Sequence, residues 1–82
     1  KQMNNINNLI GIHVRYYDEI DSELFGNIVA IEIQPRENDD DIYWIYIMDE
    51  DSANREKHND EVNGVLVTYT DLRPSIEIEL DE

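Results

Sequence analysis

The chain has no cysteine, which excludes a disulfide framework and a thiolate metal site. Its 3 glycines spell neither a dinucleotide fingerprint nor a phosphate-binding loop. Basic residues are scarce: 6 Lys and Arg face 20 Asp and Glu, a formal net charge of -14 over 82 residues. A field of that sign raises the cost of phosphate approach, so direct binding of nucleic acid or of an anionic membrane is not expected. No apolar run approaches about 18 residues, so no membrane span is expected. No signal-peptide pattern is legible either. These absences lead us to expect a cytoplasmic protein, or a nuclear one in a eukaryotic host.

What is present suits a small globule. Hydrophobic residues make up 40% of the chain, enough for one domain with a small core despite the charge. Residues 1–9 form a polar N-terminal segment, in which Ile6, Leu9 and Ile10 have the spacing of one helical turn. Residues 10–82 read as a single domain. From Ile10 the period is two: Ile10, Ile12, Val14 and Tyr16 alternate with Gly11, His13, Arg15 and Tyr17. A second strand is expected over 24–34, with Ile28 and Ala30 on one face and Val29, Ile31 and Ile33 on the other; Pro35 ends it. The third, 42–48, is apolar or aromatic almost throughout, as in a central strand buried on both faces.

Residues 49–63 lack an apolar stripe. Ser52 has N-cap chemistry, but with no face to bury, a mobile loop is expected. Asn63-Gly64 marks a turn, and Val65, Val67 and Tyr69 open a fourth strand. The segment Asp71-Leu72-Arg73-Pro74 breaks the period, and Ile76, Ile78 and Leu80 alternate with Glu77 and Glu79 in a short fifth strand. The expected inward set is Ile12, Val14, Ile28, Val29, Ile31, Ile45, Ile47, Val65, Val67 and Ile78.

Five short antiparallel strands point to an all-β, partly closed small barrel. The run Val67-Thr68-Tyr69-Thr70-Asp71-Leu72-Arg73-Pro74 resembles the fourth strand and 3₁₀ turn of SH3-like and Tudor-like barrels. Gly11-Ile12-His13-Val14-Arg15-Tyr16 resembles their first strand, and Phe25-Gly26-Asn27-Ile28-Val29 their second. The likeness spans roughly residues 10–80 and lies in the pattern of strands and turns. It implies a five-stranded antiparallel SH3-like barrel, here with long acidic loops.

No catalytic constellation is legible. His13 and His58 have no Ser-plus-acid arrangement beside them, and a domain this small leaves little room for a carboxylate-lined cleft. Asp49-Glu50-Asp51-Ser52 opens like a calcium loop, but Ala53 and Arg55 then occupy ligand positions. Asp39-Asp40-Asp41 point to alternate sides of an extended chain. We therefore expect no enzyme activity, no metal site and no cofactor.

The acids and the aromatics carry the functional signal. In a meander, alternate loops share an end. The first loop (Asp18, Glu19, Asp21, Glu23) and the third (Asp49, Glu50, Asp51, Glu56, Asp60, Glu61) are thus expected together, and the second (Glu37, Asp39, Asp40, Asp41) at the other end. Glu77, Glu79, Asp81 and Glu82 extend the charge along the last strand. Separated carboxylate clusters on a rigid frame could imitate duplex phosphates, spaced roughly one charge per 1.7 Å of axis. Tyr16, Tyr17, Phe25 and Tyr46 are candidate aromatic anchors beside them. The chain is similar in size, acidity and cofactor independence to phage-encoded DNA-mimic inhibitors and to immunity proteins that neutralise basic toxins. That likeness implies a non-catalytic inhibitor occupying the basic groove of a nucleic-acid-binding protein. The likeness to Tudor-like domains implies an alternative, a reader docking a basic or methylated peptide on Tyr16, Tyr17, Phe25 and Tyr46 through cation–π contact.

Overall fold

The computed structural model describes residues 8–81. Ile6 and Glu82, which entered the expectations above, lie outside them. All regular structure in this range is β or short 3₁₀ turns: β1 (His13–Tyr17), β2 (Glu23–Gln34), β3 (Ile42–Asp49), β4 (His58–Val62), β5 (Val65–Tyr69), β6 (Asp71–Pro74) and β7 (Glu79–Leu80). Five strands form one antiparallel sheet in the order β6-β3-β2-β1-β7, and β4 and β5 form a separate hairpin. The expected all-β class is thus present, as an antiparallel sheet of five strands beside one of two; among the described residues no ladder closes the five-stranded sheet into the expected barrel. Membership of that sheet differs from the expectation. The fourth strand of the sequence reading, β5, has left the sheet for the hairpin, and Asp71–Pro74 takes its place beside β3. That segment was expected to break the period, but an edge strand needs neither alternation nor a donor from its proline. The expected 3₁₀ turn falls one step later, at Ser75–Glu77, so Ile76 leaves the strand period and the last strand shrinks to Glu79–Leu80.

The hairpin also corrects the loop expected over 49–63. A 3₁₀ turn at Ser52–Asn54 precedes β4, whose sequence, His-Asn-Asp-Glu-Val, buries only Val62. A strand wet on both faces has no period to detect. It is held by its partner instead. Asn63 and Gly64 both take positive φ (52° and 81°), the conformation a tight hairpin turn requires. Thr68 Oγ1 donates to Asn59 Oδ1 at 2.6 Å, and the rings of His58 and Tyr69 lie 5.5 Å apart.

Two cores explain the burial. The main one joins Val14 and Tyr16 of β1, Ile28 and Ile31 of β2, and Tyr43, Ile45 and Ile47 of β3, with Leu9, Leu24 and Ile78 packed against it. The second lies under the hairpin: Ala30, Tyr46, Val62 and Val67, with Val29 and Tyr69 alongside. β3 therefore buries side chains on both faces, as its apolar run indicates. In β2 the ladder register shifts between Ile28 and Ala30. One extra residue reverses the facing of everything after it, so Ile28 and Ile31 share a core although simple alternation sets them apart. Ile12 and Val65 are corrections to the inward set. Ile12 precedes β1 and is exposed, and Val65, at the hairpin tip, is 61% exposed.

Gly26 fixes how closely β2 and β3 approach. A Cβ there would stand 2.6 Å from Ile47 Cγ2 and 2.7 Å from the Met48 carbonyl oxygen, closer than atoms tolerate. This contact seats β3 so that Glu50 N–H donates to the Phe25 carbonyl at 3.0 Å. The end of β3 thereby sits beside the first loop.

Candidate partner-binding surface

The β1–β2 loop is shaped by its own acid. Asp18 Oδ1 accepts from the N–H of Ile20 at 3.0 Å and of Ser22 at 2.8 Å, an Asx turn that folds the loop back on itself. Asp21 adopts positive φ (64°) to close it. The fold leaves Glu19 and Asp21 in solvent and exposes Ile20 to 80%. Opposite this loop, the 3₁₀ turn after β6 presents Ile76 at 89% exposure. Between them lies a concavity of about 470 Å³ lined by Tyr17, Asp18, Glu19, Asp21, Arg73, Ile76, Glu77 and Glu79. A second hollow shares Asp18, Glu19 and Arg73 and adds Ile20. Acidic walls with apolar lips suit a partner that brings positive charge together with aliphatic surface.

Most arginines are already engaged within the domain. Arg15 pairs with Glu79 at 2.5 Å and Glu23 at 3.3 Å, Arg36 with Asp39 at 3.4 Å, and Arg55 with Asp49 at 3.1 Å. Arg73, under the groove, is held loosely: its nitrogens lie 3.7 Å from Asp71 and 3.9 Å from Glu77. Among the described residues Asp18, Glu19, Asp21 and Asp51 make no ion pair. The charge of Asp18, Glu19 and Asp21 in the β1–β2 loop is therefore unspent, whereas Glu77 and Glu79 across the groove face Arg73 and Arg15.

The structure brings together part of the expected acidic set. Glu23, Glu50 and Asp51 share a hollow with Leu24, Phe25 and Asp49, so the first loop and the start of the third do meet. Asp60 and Glu61 do not join them. They ride on β4, which runs away from this end toward a tip where Asn63 Nδ2 donates to the Ile31 carbonyl. Glu56 is exposed in the segment leading into β4.

Asp49 departs furthest from the expectation. It is 3% exposed and is no surface acid. Tyr16 Oη donates to its Oδ2 at 2.6 Å and lies 3.0 Å from Asp71 Oδ2, Arg55 supplies the compensating charge, and Asp51 N–H donates to its Oδ1. Burial first, then the Asp49 hydrogen bond, pushes the Tyr16 phenol far above its ordinary range and keeps it protonated.

Of the four expected anchors, two are in the cores. Tyr16 is 0% and Tyr46 4% exposed. Tyr16 continues the inward phase of Val14, and Tyr46 packs edge-on against Tyr69 at 4.7 Å while its hydroxyl donates to Glu32 at 2.7 Å. Tyr17 is exposed and lines the groove; Phe25 is half-buried under His13. Sequence reasoning overlooked Ile20, Ile76 and Arg73 as surface determinants. Ile20 carried a signal, a lone aliphatic residue inside the acidic turn Asp18-Glu19-Ile20-Asp21. Ile76 carried none, because its position matches the strand period that the 3₁₀ turn interrupts.

Among the described residues no group of His, Cys, Asp or Glu is arranged to hold a metal ion, and no helix is long and apolar enough to cross a membrane. No family model matches the chain, and no curated protein or solved structure is similar enough to count as a match.

Proposed function

We propose that this domain is a non-catalytic, acidic protein-binding module that occupies the basic groove of a nucleic-acid-binding protein in the manner of a DNA-mimic inhibitor, as in phage anti-defence or toxin immunity. The observation that carries the reading is the groove between the β1–β2 loop and the 3₁₀ turn. Five carboxylates, Asp18, Glu19, Asp21, Glu77 and Glu79, surround it, and Ile20 and Ile76 stand out on its lips. The unpaired Asp18, Glu19 and Asp21 steer a basic partner and speed association, Glu77 and Glu79 add charge that Arg73 and Arg15 partly offset, and the aliphatic lips slow its release once water is expelled. The fold is read as an SH3-like barrel variant with the β4–β5 hairpin inserted. The order β7-β1-β2-β3-β6 and the 3₁₀ turn between β6 and β7 support this, although no ladder joins β6 to β7 among the described residues. The reader alternative loses support because Tyr16 and Tyr46 are core residues, and the Tyr16 face that meets a cation is already taken by the domain's own Arg73, 5.8 Å from the ring centroid.

The test is competitive. A partner recovered from host lysate on the immobilised domain is purified, and its affinity for duplex DNA is measured with and without the domain at low and moderate salt. DNA binding should be lost at one domain per partner site, and the inhibition should weaken steeply with salt. A partner that binds DNA unchanged in the presence of saturating domain refutes the proposal.

A further inference from the structure

His13 opens β1 and is held from three directions. Its Nδ1 lies 2.7 Å from Asp81 Oδ2 and its Nε2 2.5 Å from Glu50 Oε2. The Phe25 ring stacks on its face, 5.6 Å between centroids and 3° from parallel. Glu50 follows β3, Asp81 follows β7 and Phe25 belongs to β2, so one ring ties three elements to β1. Glu50 and Asp81 are the charged groups that meet the ring among the described residues. Arg15, two residues on, is engaged by Glu23 and Glu79.

An imidazole can donate from both nitrogens only when it is charged. The imidazolium satisfies both carboxylates. The neutral ring has one N–H and one lone pair, so one carboxylate would face a lone pair at hydrogen-bond distance. That contact is repulsive, and one of the two acids must withdraw.

The last strand is the weaker side. β7 has two residues and pairs with β1 only at Val14↔Leu80 and Arg15↔Glu79. Beyond the Arg15–Glu79 ion pair, its end is fastened by the Asp81 N–H, which donates to the His13 carbonyl at 3.2 Å, and by the His13–Asp81 contact. Leu80 and Ile78 form one wall of an open apolar hollow of about 180 Å³ whose other walls are Leu9, Ile28, Ile45 and Ser75. The domain's excess negative charge favours moving an acidic strand end away.

We propose that His13 is a pH-operated fastener of β7: charged, it clamps Asp81 to Glu50 at the end of β3; neutral, it releases the strand from the sheet edge and takes the Leu80 wall away from the apolar hollow. The direction follows from linkage. The hydrogen bond with Glu50 first, and that with Asp81 second, raise the ring above its ordinary value of 6.5. The fastening is therefore complete below about pH 6.5 and is lost as pH rises through the higher folded-state value. The strand is closed on the acid side and opens on the alkaline side.

Solvent-exchange NMR on the full chain tests this. The ring protons of His13 report its titration. The Asp81 amide reports the latch, and the Thr70 amide, bonded to the Ile47 carbonyl in the core, serves as reference after correction for intrinsic base-catalysed exchange. Protection of Asp81 relative to Thr70 should fall at least tenfold as the ring deprotonates. His13→Gln, which like the neutral ring offers a donor nitrogen toward one acid and an acceptor toward the other, should show the low ratio at every pH. In Asp81→Asn the ring should titrate closer to 6.5, with a smaller step. A ratio that stays flat through the wild-type titration overturns the proposal, as does a ring titrating at or below 6.5. The same step in His13→Gln would assign it to another group and likewise overturn it. Should His13→Gln fail to fold, the wild-type titration alone decides.

Discussion

Tyr16→Phe removes one oxygen from the centre of the domain and leaves the ring packing in place. The lost group is the donor to Asp49, a carboxylate 3% exposed that keeps Arg55 as its ion-pair partner. Water cannot take the place of the hydroxyl at a fully buried ring. The relevant magnitude is a hydrogen bond to a charged acceptor, roughly 1.5–3 kcal/mol. The phenol's 3.0 Å approach to Asp71 adds little, because the hydroxyl has one proton to give. We expect a loss of about 2 kcal/mol, which for a domain of this size lowers the melting temperature by roughly 8–16 °C. Urea unfolding followed by fluorescence of Trp44, the only tryptophan, measures it, with an unchanged m value as the check that the folded state is retained. Tyr17→Phe, on the exposed face of the same strand, should change stability by less than about 0.5 kcal/mol. A Tyr16→Phe loss as small as that would refute the view that the Tyr16–Asp49–Arg55 network holds the end of β3.

The other predictions follow from the same contacts. Truncating Tyr46 to Ala should cost about 3–5 kcal/mol in the same assay, because its ring fills the second core; a variant as stable as the wild type would place that ring outside the core. Gly26→Ala should destabilise by about 1–3 kcal/mol, since its Cβ meets Ile47 and the Met48 carbonyl, and an unchanged melting temperature would refute that packing. Replacing Glu19, Asp21, Asp51 and Glu77 with Gln or Asn should leave the melting temperature equal or higher while slowing association with a basic partner, read by stopped flow at low salt; an unchanged rate would make these acids merely solubilising. Asp49 is left out of that set because its neutralisation would probe the core. Raising salt from about 10 mM to 0.3 M should raise the wild-type melting temperature by screening self-repulsion, and a fall would show that the internal ion pairs outweigh the net charge.

The all-β class, four strand cores, the hairpin turn at Asn63-Gly64 and the acidic character of the surface are legible along the chain. These are local: period-two burial, turn chemistry and net charge can be read within a few residues. The alternation that placed Val14 inward also placed Tyr16 inward, so the burial of that anchor was legible in its phase. The rest depends on contacts between residues far apart in the chain. A bulge in β2 moved Ile28 and Ile31 into one core, and no composition signal marks where an extra residue enters a ladder. β4 is a strand because β5 pairs with it, not because its own residues alternate. Asp49, one acid among many in sequence, became a core residue because Tyr16 and Arg55, distant along the chain, converge on it. The groove exists because an Asx turn and a 3₁₀ turn, more than fifty residues apart, are brought to the same end of one sheet. Long-range pairing chose which carboxylates were buried, paired or left facing solvent, and charge counting along the chain has no access to that choice.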